Sequence, residues 1–409
     1  MTQFEQLANR RRRKLLGSAL STLALGAAPA LPLALARAAQ AASAKDDHIL
    51  VVYEMSGGND GLNTLVPYGD DMYYRHRPKL GIKPAKLRKI NDHLGWSPGM
   101  AGFERLYKDG NLAVINGCGY ANPSFSHFTS MAYWHTAAPN SGGEYGWVGR
   151  LADRMYPAPT ANLIVNVDTT QSLAVKSRVH TPVVFDDPDR FMRESFFQEK
   201  SVLDAVSESR DDPNPSRRYL LDVARGARDA SQLVRNAWAH YKSPVDYGIV
   251  PGQLPKVAAL IEAGLPSRFY YAAYRNNAFD THVQQADLHS RLLTYVSDSV
   301  AAFFRDMERI GKADQVTMLI FSEFGRRVPE NANQGTDHGT ANYMFVAGKQ
   351  VKGGLYGEPV SLAKLDAGDN LIHTTDFRRV YASLMQGWMG IADPSPLLGG
   401  QFETFPLIG

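Results

Sequence analysis

Residues 48–55, His-Ile-Leu-Val-Val-Tyr-Glu-Met, form a near-continuous apolar run that stops at Ser56-Gly57-Gly58. A strand with one wet face alternates polar and apolar side chains; a run without alternation suits a central parallel strand covered on both faces. That requirement commits the chain to a sheet with layers packed on each side. Similar runs recur at Leu112 to Asn116, Arg268 to Tyr274, Val316 to Phe321 and Tyr343 to Gly348. Helical patterns separate them, over 126–135, 216–239, 284–310 and 375–389. In 284–310, Leu288, Leu292, Leu293, Val296, Val300, Phe303 and Phe304 recur at helical spacing. The last helix is expected to start at a Thr374 or Thr375 cap and close at Gly390. Strands alternating with helices predict an α/β fold with a doubly wound, mainly parallel central sheet flanked by helices. The more polar stretch 160–265 reads as a mostly helical insertion capping that sheet, within a single domain over 45–409.

The first 44 residues read as a leader and not as part of the fold. Arg10 to Arg13 and Lys14 precede Leu15-Leu16 and an Ala- and Leu-rich stretch, with small-residue sites at Ala34-Leu35-Ala36, Ala39-Gln40-Ala41 and Ala42-Ser43-Ala44. A basic region, an apolar region and an A-x-A site make a signal peptide, and the arginine pair fits twin-arginine export. The expected destination is the periplasm or the medium, with the export machinery as a partner and no stable membrane insertion after cleavage. The leader also distorts the charge: it holds six Lys and Arg and one acid, leaving 38 basic and 40 acidic side chains, near −2. Nothing in that balance calls for nucleic acid. The single cysteine, Cys118, follows an apolar run and reads as a buried thiol.

Acidic, histidine and glycine residues gather just outside these runs. Asp60 sits in Gly57-Gly58-Asn59-Asp60-Gly61 after the first run, and Asp280-Thr281-His282 lies a few residues past Tyr274. Ser322-Glu323-Phe324-Gly325-Arg326 follows Phe321, and Thr336-Asp337-His338-Gly339-Thr340 precedes Tyr343. Ligands of open α/β sheets bind outside the carboxyl ends of the strands, so these clusters predict one site. The Asp337-His338 pair is the exception, since it lies ahead of its strand. Carboxylates with imidazoles suit a divalent cation. Asp60, Asp280, His282, Glu323, Asp337 and His338 are therefore the expected metal ligands, for Zn, Mg, Ca or Mn. Arg326 is a candidate clamp for a phosphate or sulfate. Ser126 and His127 open a helix, where free amides can hold an anion. Ser126 fits a nucleophile or an N-cap; His127 fits a base, a ligand or a covalent nucleophile, and the sequence leaves all three open.

The motifs Val51 to Pro67, Ser126-His127-Phe128, Gly146-Trp147-Val148-Gly149-Arg150, Phe279-Asp280-Thr281-His282, Ser322 to Arg327, Thr336 to Thr340 and Gly353 to Gly357 carry a resemblance. In that order they resemble the bacterial exported domain-of-unknown-function 1501 family, itself similar in fold to alkaline phosphatases and sulfatases. The resemblance implies a metal-dependent hydrolase or transferase acting on a phosphate or sulfate ester. It puts metal ligands at Asp60, Asp280, His282 and His338, and a nucleophile near Ser126 or His127. It also implies a histidine where this chain has Phe324, so one metal position is altered. The competing expectation is a binding or assembly protein of the cell envelope that keeps the fold without the chemistry.

Overall fold

Every residue from Ile49 to Met55 is buried, as a strand covered on both faces requires. The computed structural model describes residues 47–191, 214–274 and 277–409; the leader at 1–44 lies outside the described residues. Residues 48–409 make one unit. Its strands are β1 (Ile49–Met55), β2 (Leu65–Val66), β3 (Arg88–Lys89), β4 (Gly95–Trp96), β5 (Leu112–Gly119), β6 (Ile164–Val167), β7 (Val183–Phe185), β8 (Phe269–Tyr274), β9 (Val316–Phe321), β10 (Asn342–Ala347), β11 (Gly354–Tyr356) and β12 (Thr375–Asp376). The main sheet runs β11-β5-β10-β9-β1-β8-β6-β7, with β12 also paired to β5, while β2, β4 and β3 form a small antiparallel sheet.

Side chains of β1 point alternately into two cores. Val51, Tyr53 and Met55 pack with Phe103, Val257, Leu293 and Val300, from helices Ala101–Lys108, Leu254–Glu262 and Gln285–Arg309. Leu50 and Val52 pack with Trp134, Trp147, Leu151 and Tyr381, from helices His127–Thr136, Trp147–Met155 and Arg378–Ser383. Helices thus cover both faces, and the doubly wound expectation holds. Cys118 is buried, and burial pushes its thiol far up, away from reactivity.

Within the sheet β10 stands apart: it runs antiparallel to both β5 and β9, whereas the other main-sheet pairings are parallel. Its amino end therefore lies at the edge where the parallel strands present their carboxyl ends. A loop ahead of β10 and a loop after β1 or β9 meet at one edge, and this is how Asp337-His338 joins the other clusters.

Two segments differ from their sequence reading. Residues 164–185 supply β6 and β7, which extend the sheet by parallel pairing, so the stretch 160–265 adds strands as well as helices. The helix read over 375–389 starts later. Thr375 and Asp376 pair with Cys118 and Gly119 of β5, and Asp376 accepts from the Arg378 amide at 2.9 Å where helix Arg378–Ser383 begins. Leu384–Trp388 then forms a π-turn before Gly390. Local helical periodicity lost here to a free hydrogen-bonding edge on β5.

The loops at the sheet edge close on a buried guanidinium. Arg326 is 1% exposed. Its Nε donates to Gly58 O at 2.6 Å, Nη1 to Thr336 O at 3.0 Å, and Nη2 to Phe279 O at 3.1 Å and Asp280 Oδ1 at 2.7 Å, with a further contact to Gly57 O. Gly57 and Gly58 have φ of +113° and +71°, and a Cβ on Gly58 would lie 2.3 Å from the Phe324 ring. Only glycine allows that turn and that approach together.

Replacing Arg326 by Met would leave a carboxylate and several buried carbonyls without a donor. The expected loss is about 3–5 kcal/mol, read as a lower urea midpoint at unchanged m-value.

Candidate metal centre

Three histidines from three segments approach one carboxylate, Asp280. His127 opens helix His127–Thr136, whose N-cap Ser126 accepts from the Thr129 amide at 3.4 Å. His282 lies in the turn after β8, and His338 in the loop before β10. Each ring has its Nδ1 fixed by an outer acceptor. His127 Nδ1 is 2.7 Å from Oε1 of Glu323, a wholly buried carboxylate that also accepts from the Gly57 amide at 2.9 Å and the Ser322 hydroxyl at 3.1 Å. His282 Nδ1 is 3.3 Å from Asp337 Oδ1, which Asn331 holds at 3.0 Å. His338 Nδ1 is 2.7 Å from the carbonyl of Phe125. A carbonyl only accepts, so His338 carries its proton on Nδ1, and its neutral Nε2 presents a lone pair.

The Nε2 atoms converge on Asp280. Asp280 Oδ1 lies 2.9 Å from His282 Nε2 and 3.0 Å from His338 Nε2, and those two nitrogens are 2.9 Å apart. His127 Nε2 is 3.4 Å from Asp280 Oδ2, and it is a buried nitrogen with no hydrogen-bond partner. His127, Asp280 and His338 each place a ligating atom within 4.8 Å of the others. Lone pairs this close repel unless a proton or a cation lies between them. Ligands about 2.0–2.1 Å from one ion stand ~3 Å from each other, so this donor set fits a metal. Outer acceptors on the far nitrogen are the usual support of ligating histidines.

Electrostatics favour the same reading. Burial opposes ionisation of Asp280, but the Arg326 guanidinium outweighs it and holds the carboxyl at about 2. Burial lowers the basicity of His338, against partial compensation from the Phe125 carbonyl and Asp280. Glu323, by its hydrogen bond, raises that of His127. The Asn331 hydrogen bond draws Asp337 below the usual carboxylate range.

The structure thus gathers His127, Asp280 and His338 into one group, with His282 beside Asp280 and His338 and with Asp337 and Glu323 behind. Asp60 is engaged elsewhere. Its Oδ2 accepts from Arg77 at 2.6 Å and Gln285 at 2.5 Å, both partners wholly buried, while Oδ1 is buried without a partner. Burial raises the Asp60 carboxyl, but Arg77 and His289 pull it below the ordinary value. Arg326 has its nitrogens on four backbone carbonyls and Asp280, not turned to an incoming anion. Phe324 lies against the rings of His127 and His338, with centroids 5.0 and 4.8 Å away. Tyr73 is wholly buried and bonds Asn63 at 2.8 Å, and Trp134 stacks on Phe377, so both serve the core.

Sequence reasoning missed Arg77 and Phe125. Arg77 sits in a helix end with no motif around it. The Phe125 contribution is a carbonyl, which every residue type possesses, so no sequence signal existed for it.

A family model described as "Protein of unknown function (DUF1501)" matches residues 46–395. No curated protein matches the chain. Several solved structures are similar to it. The C-terminal periplasmic domain of EcEptC from Escherichia coli, in complex with Zn, is 11% identical, with 74% of this chain and 73% of that one covered and a TM-score of 0.33. The lipoteichoic acid synthase LtaP from Listeria monocytogenes is 11% identical over 81% and 75%, with a TM-score of 0.35. Alkaline phosphatase from the Antarctic bacterium TAB5 is 9% identical over 75% and 94%, with a TM-score of 0.31.

Elemental analysis of the purified protein is expected to return about one equivalent of a divalent transition metal. Glu323→Gln, which weakens the hold on His127, should lower metal affinity roughly 10- to 100-fold, measured by competition with a chromogenic chelator. The neighbouring His289 gives a separate pH signature. It is wholly buried, bonded to Asn59 at 2.9 Å, and burial lowers it from 6.5 to about 4. Folded chains keep it neutral where unfolded chains take a proton, so its contribution is full above pH 6.5 and lost as pH falls toward 4. That contribution amounts to about 3 kcal/mol. Urea titrations across this window should show the slope, and His289→Gln should flatten it.

Proposed function

The chain belongs to the DUF1501 family, and from that premise we propose that it is an exported, metal-dependent hydrolase or transferase acting on a phosphate or sulfate ester. The observation that carries the reading is the convergence of three Nε2 atoms on Asp280, each ring fixed through Nδ1 by Glu323, Asp337 or the Phe125 carbonyl. His127, Asp280 and His338 would hold the ion, with His282, 2.9 Å from Asp280, as a further donor. Imidazoles with one carboxylate suit a borderline metal, zinc foremost, over the all-oxygen surroundings that Mg and Ca prefer. Bound there, the ion supplies Lewis acidity toward an ester oxygen and an acidified water.

The protein's own groups do the rest. Asp280, ionised above about pH 2, keeps the donor set anionic throughout the envelope's pH range. Ser126 Oγ, on an exposed residue beside His127, is the accessible hydroxyl for attack, and its capping bond to the Thr129 amide is long at 3.4 Å. The first amides of helix His127–Thr136 have no intrahelical partner and suit an anionic oxygen of the ester. The Arg-Arg leader supports twin-arginine export to the periplasm or medium, and among the described residues no helix is long and apolar enough to cross a membrane.

One observation favours a second reading, a binding or assembly protein without turnover. Arg77 compensates Asp60, and Phe324 fills the position where the family resemblance implies a ligand. A second cation would find Asp60 already neutralised.

A panel of aryl phosphates and sulfates separates the two. Under the first reading at least one is hydrolysed; chelation abolishes the rate, and His338→Ala lowers it by roughly 10²–10⁴-fold. Retained metal with no turnover across the panel would leave the second reading in its place.

A further inference from the structure

A second polar cluster lies between helix His127–Thr136 and the sheet, against the apolar core of that face. Glu54 of β1, Asn166 of β6, Tyr271 of β8 and His135 of the helix are all buried. Ser172, on the loop after β6, is half-buried beside the exposed Thr169, Thr170 and Gln171. His135 Nε2 is 3.1 Å from Glu54 Oε2 and 2.8 Å from the Tyr271 hydroxyl, which itself donates to Glu54. On the other side of the ring, Nδ1 is 3.5 Å from Ser172 Oγ. Burying polar groups is costly unless they are matched. This set is matched in one order, with Tyr271 and His135 on the carboxylate and Ser172 on the remaining imidazole nitrogen. Burial and Glu54 push the Tyr271 hydroxyl far above its ordinary value, so it stays protonated and donates. The Ser172 amide donates to Asn166 Oδ1 at 2.6 Å, which fixes the loop, while Asn166 Nδ2 is buried without a partner. His135 stands eight residues beyond His127, about 12 Å along the helix, so this cluster is separate from the metal centre.

From this arrangement we infer a second active site, in which Ser172 is the nucleophile toward a carboxylic ester, His135 its base and Glu54 the group that orients the base. A hydroxyl within reach of a base that a third group holds is the recurring arrangement of covalent acyl transfer. The ring serves here in the opposite sense, with Nδ1 toward the hydroxyl. With Nε2–H donated to Glu54, Nδ1 carries the lone pair. Ser172 Oγ accepts from the Ala174 amide at 3.2 Å, which leaves its hydrogen for His135. A catalytic hydrogen bond as long as theirs tightens when substrate binds. In the first step Oγ bonds to the ester carbonyl carbon and its proton passes to Nδ1. The bond to the alcohol oxygen then breaks, that oxygen takes the proton from Nδ1, and the acyl group stays on Ser172. Water, deprotonated by His135, releases it as a carboxylic acid. Asn166 Nδ2 is the donor at hand for the carbonyl oxygen. Among the described residues no Lys or Arg bonds to any of these five side chains, so an anionic phosphate or sulfate ester finds no counter-charge. An uncharged carboxylic ester needs none.

The test is labelling of the purified full chain by a fluorophosphonate probe in the presence of EDTA, which keeps the metal centre out of the readout. The folded wild-type protein should take the label on Ser172, identified by peptide mass, and should hydrolyse p-nitrophenyl acetate. Ser172→Ala, which removes only a half-buried hydroxyl, should abolish both at an unchanged melting temperature. His135→Gln should slow labelling roughly 10²–10⁴-fold. Should that variant melt early, Glu54→Gln, which keeps the shape of the side chain, is read in its place and should also slow labelling. A folded chain that takes no label overturns the inference, as does a label on another serine or a base variant that reacts at the wild-type rate.

Discussion

The Arg326 guanidinium is the interaction on which the site depends. It is wholly enclosed and joins the turn after β1, the turn after β8, the segment after β9 and the loop before β10 through one planar group. A buried arginine is costly unless its donors are matched; here backbone carbonyls and one carboxylate match them. The same bond that neutralises Asp280 keeps it ionised and aimed at His282 and His338. Fold and site electrostatics are therefore set by one residue.

Topology supplies the other half of the arrangement. In an all-parallel sheet, a residue ahead of a strand lies at the opposite edge from residues that follow strands. Because β10 alone runs antiparallel within the main sheet, its leading loop returns to the carboxyl-end edge. His338 then meets His282 and Asp280 without a long connection. Glycine at 58 lets the turn after β1 press against Phe324, and glycine at 57 lets it meet the backbone of Asn277 and Asp280.

Much of this was legible beforehand. The uninterrupted run at 48–55 required a two-faced strand, and the runs at 268–274 and 316–321 required its neighbours β8 and β9. Asp280, His282 and His338 were readable as candidates because acids and histidines sit close together in the loops at the strand ends. Thr375 and Asp376 were misread, since their pattern continues a helix and only the open edge of β5 shows why they extend instead. The part of His127 was undecided, because a helix-opening histidine fits several roles until its two nitrogens have partners.

Burial and periodicity act locally along the chain, so the layers, the strand faces and the residue types available for a cation could be read from it. Which of those residues meet depends on long-range packing. Asp60 and Asp280 look alike as acids after strands, yet Asp60 is held by Arg77 from another segment and Asp280 by Arg326. Long-range pairing of buried charges selects among equivalent carboxylates, and no local pattern encodes which arginine will arrive.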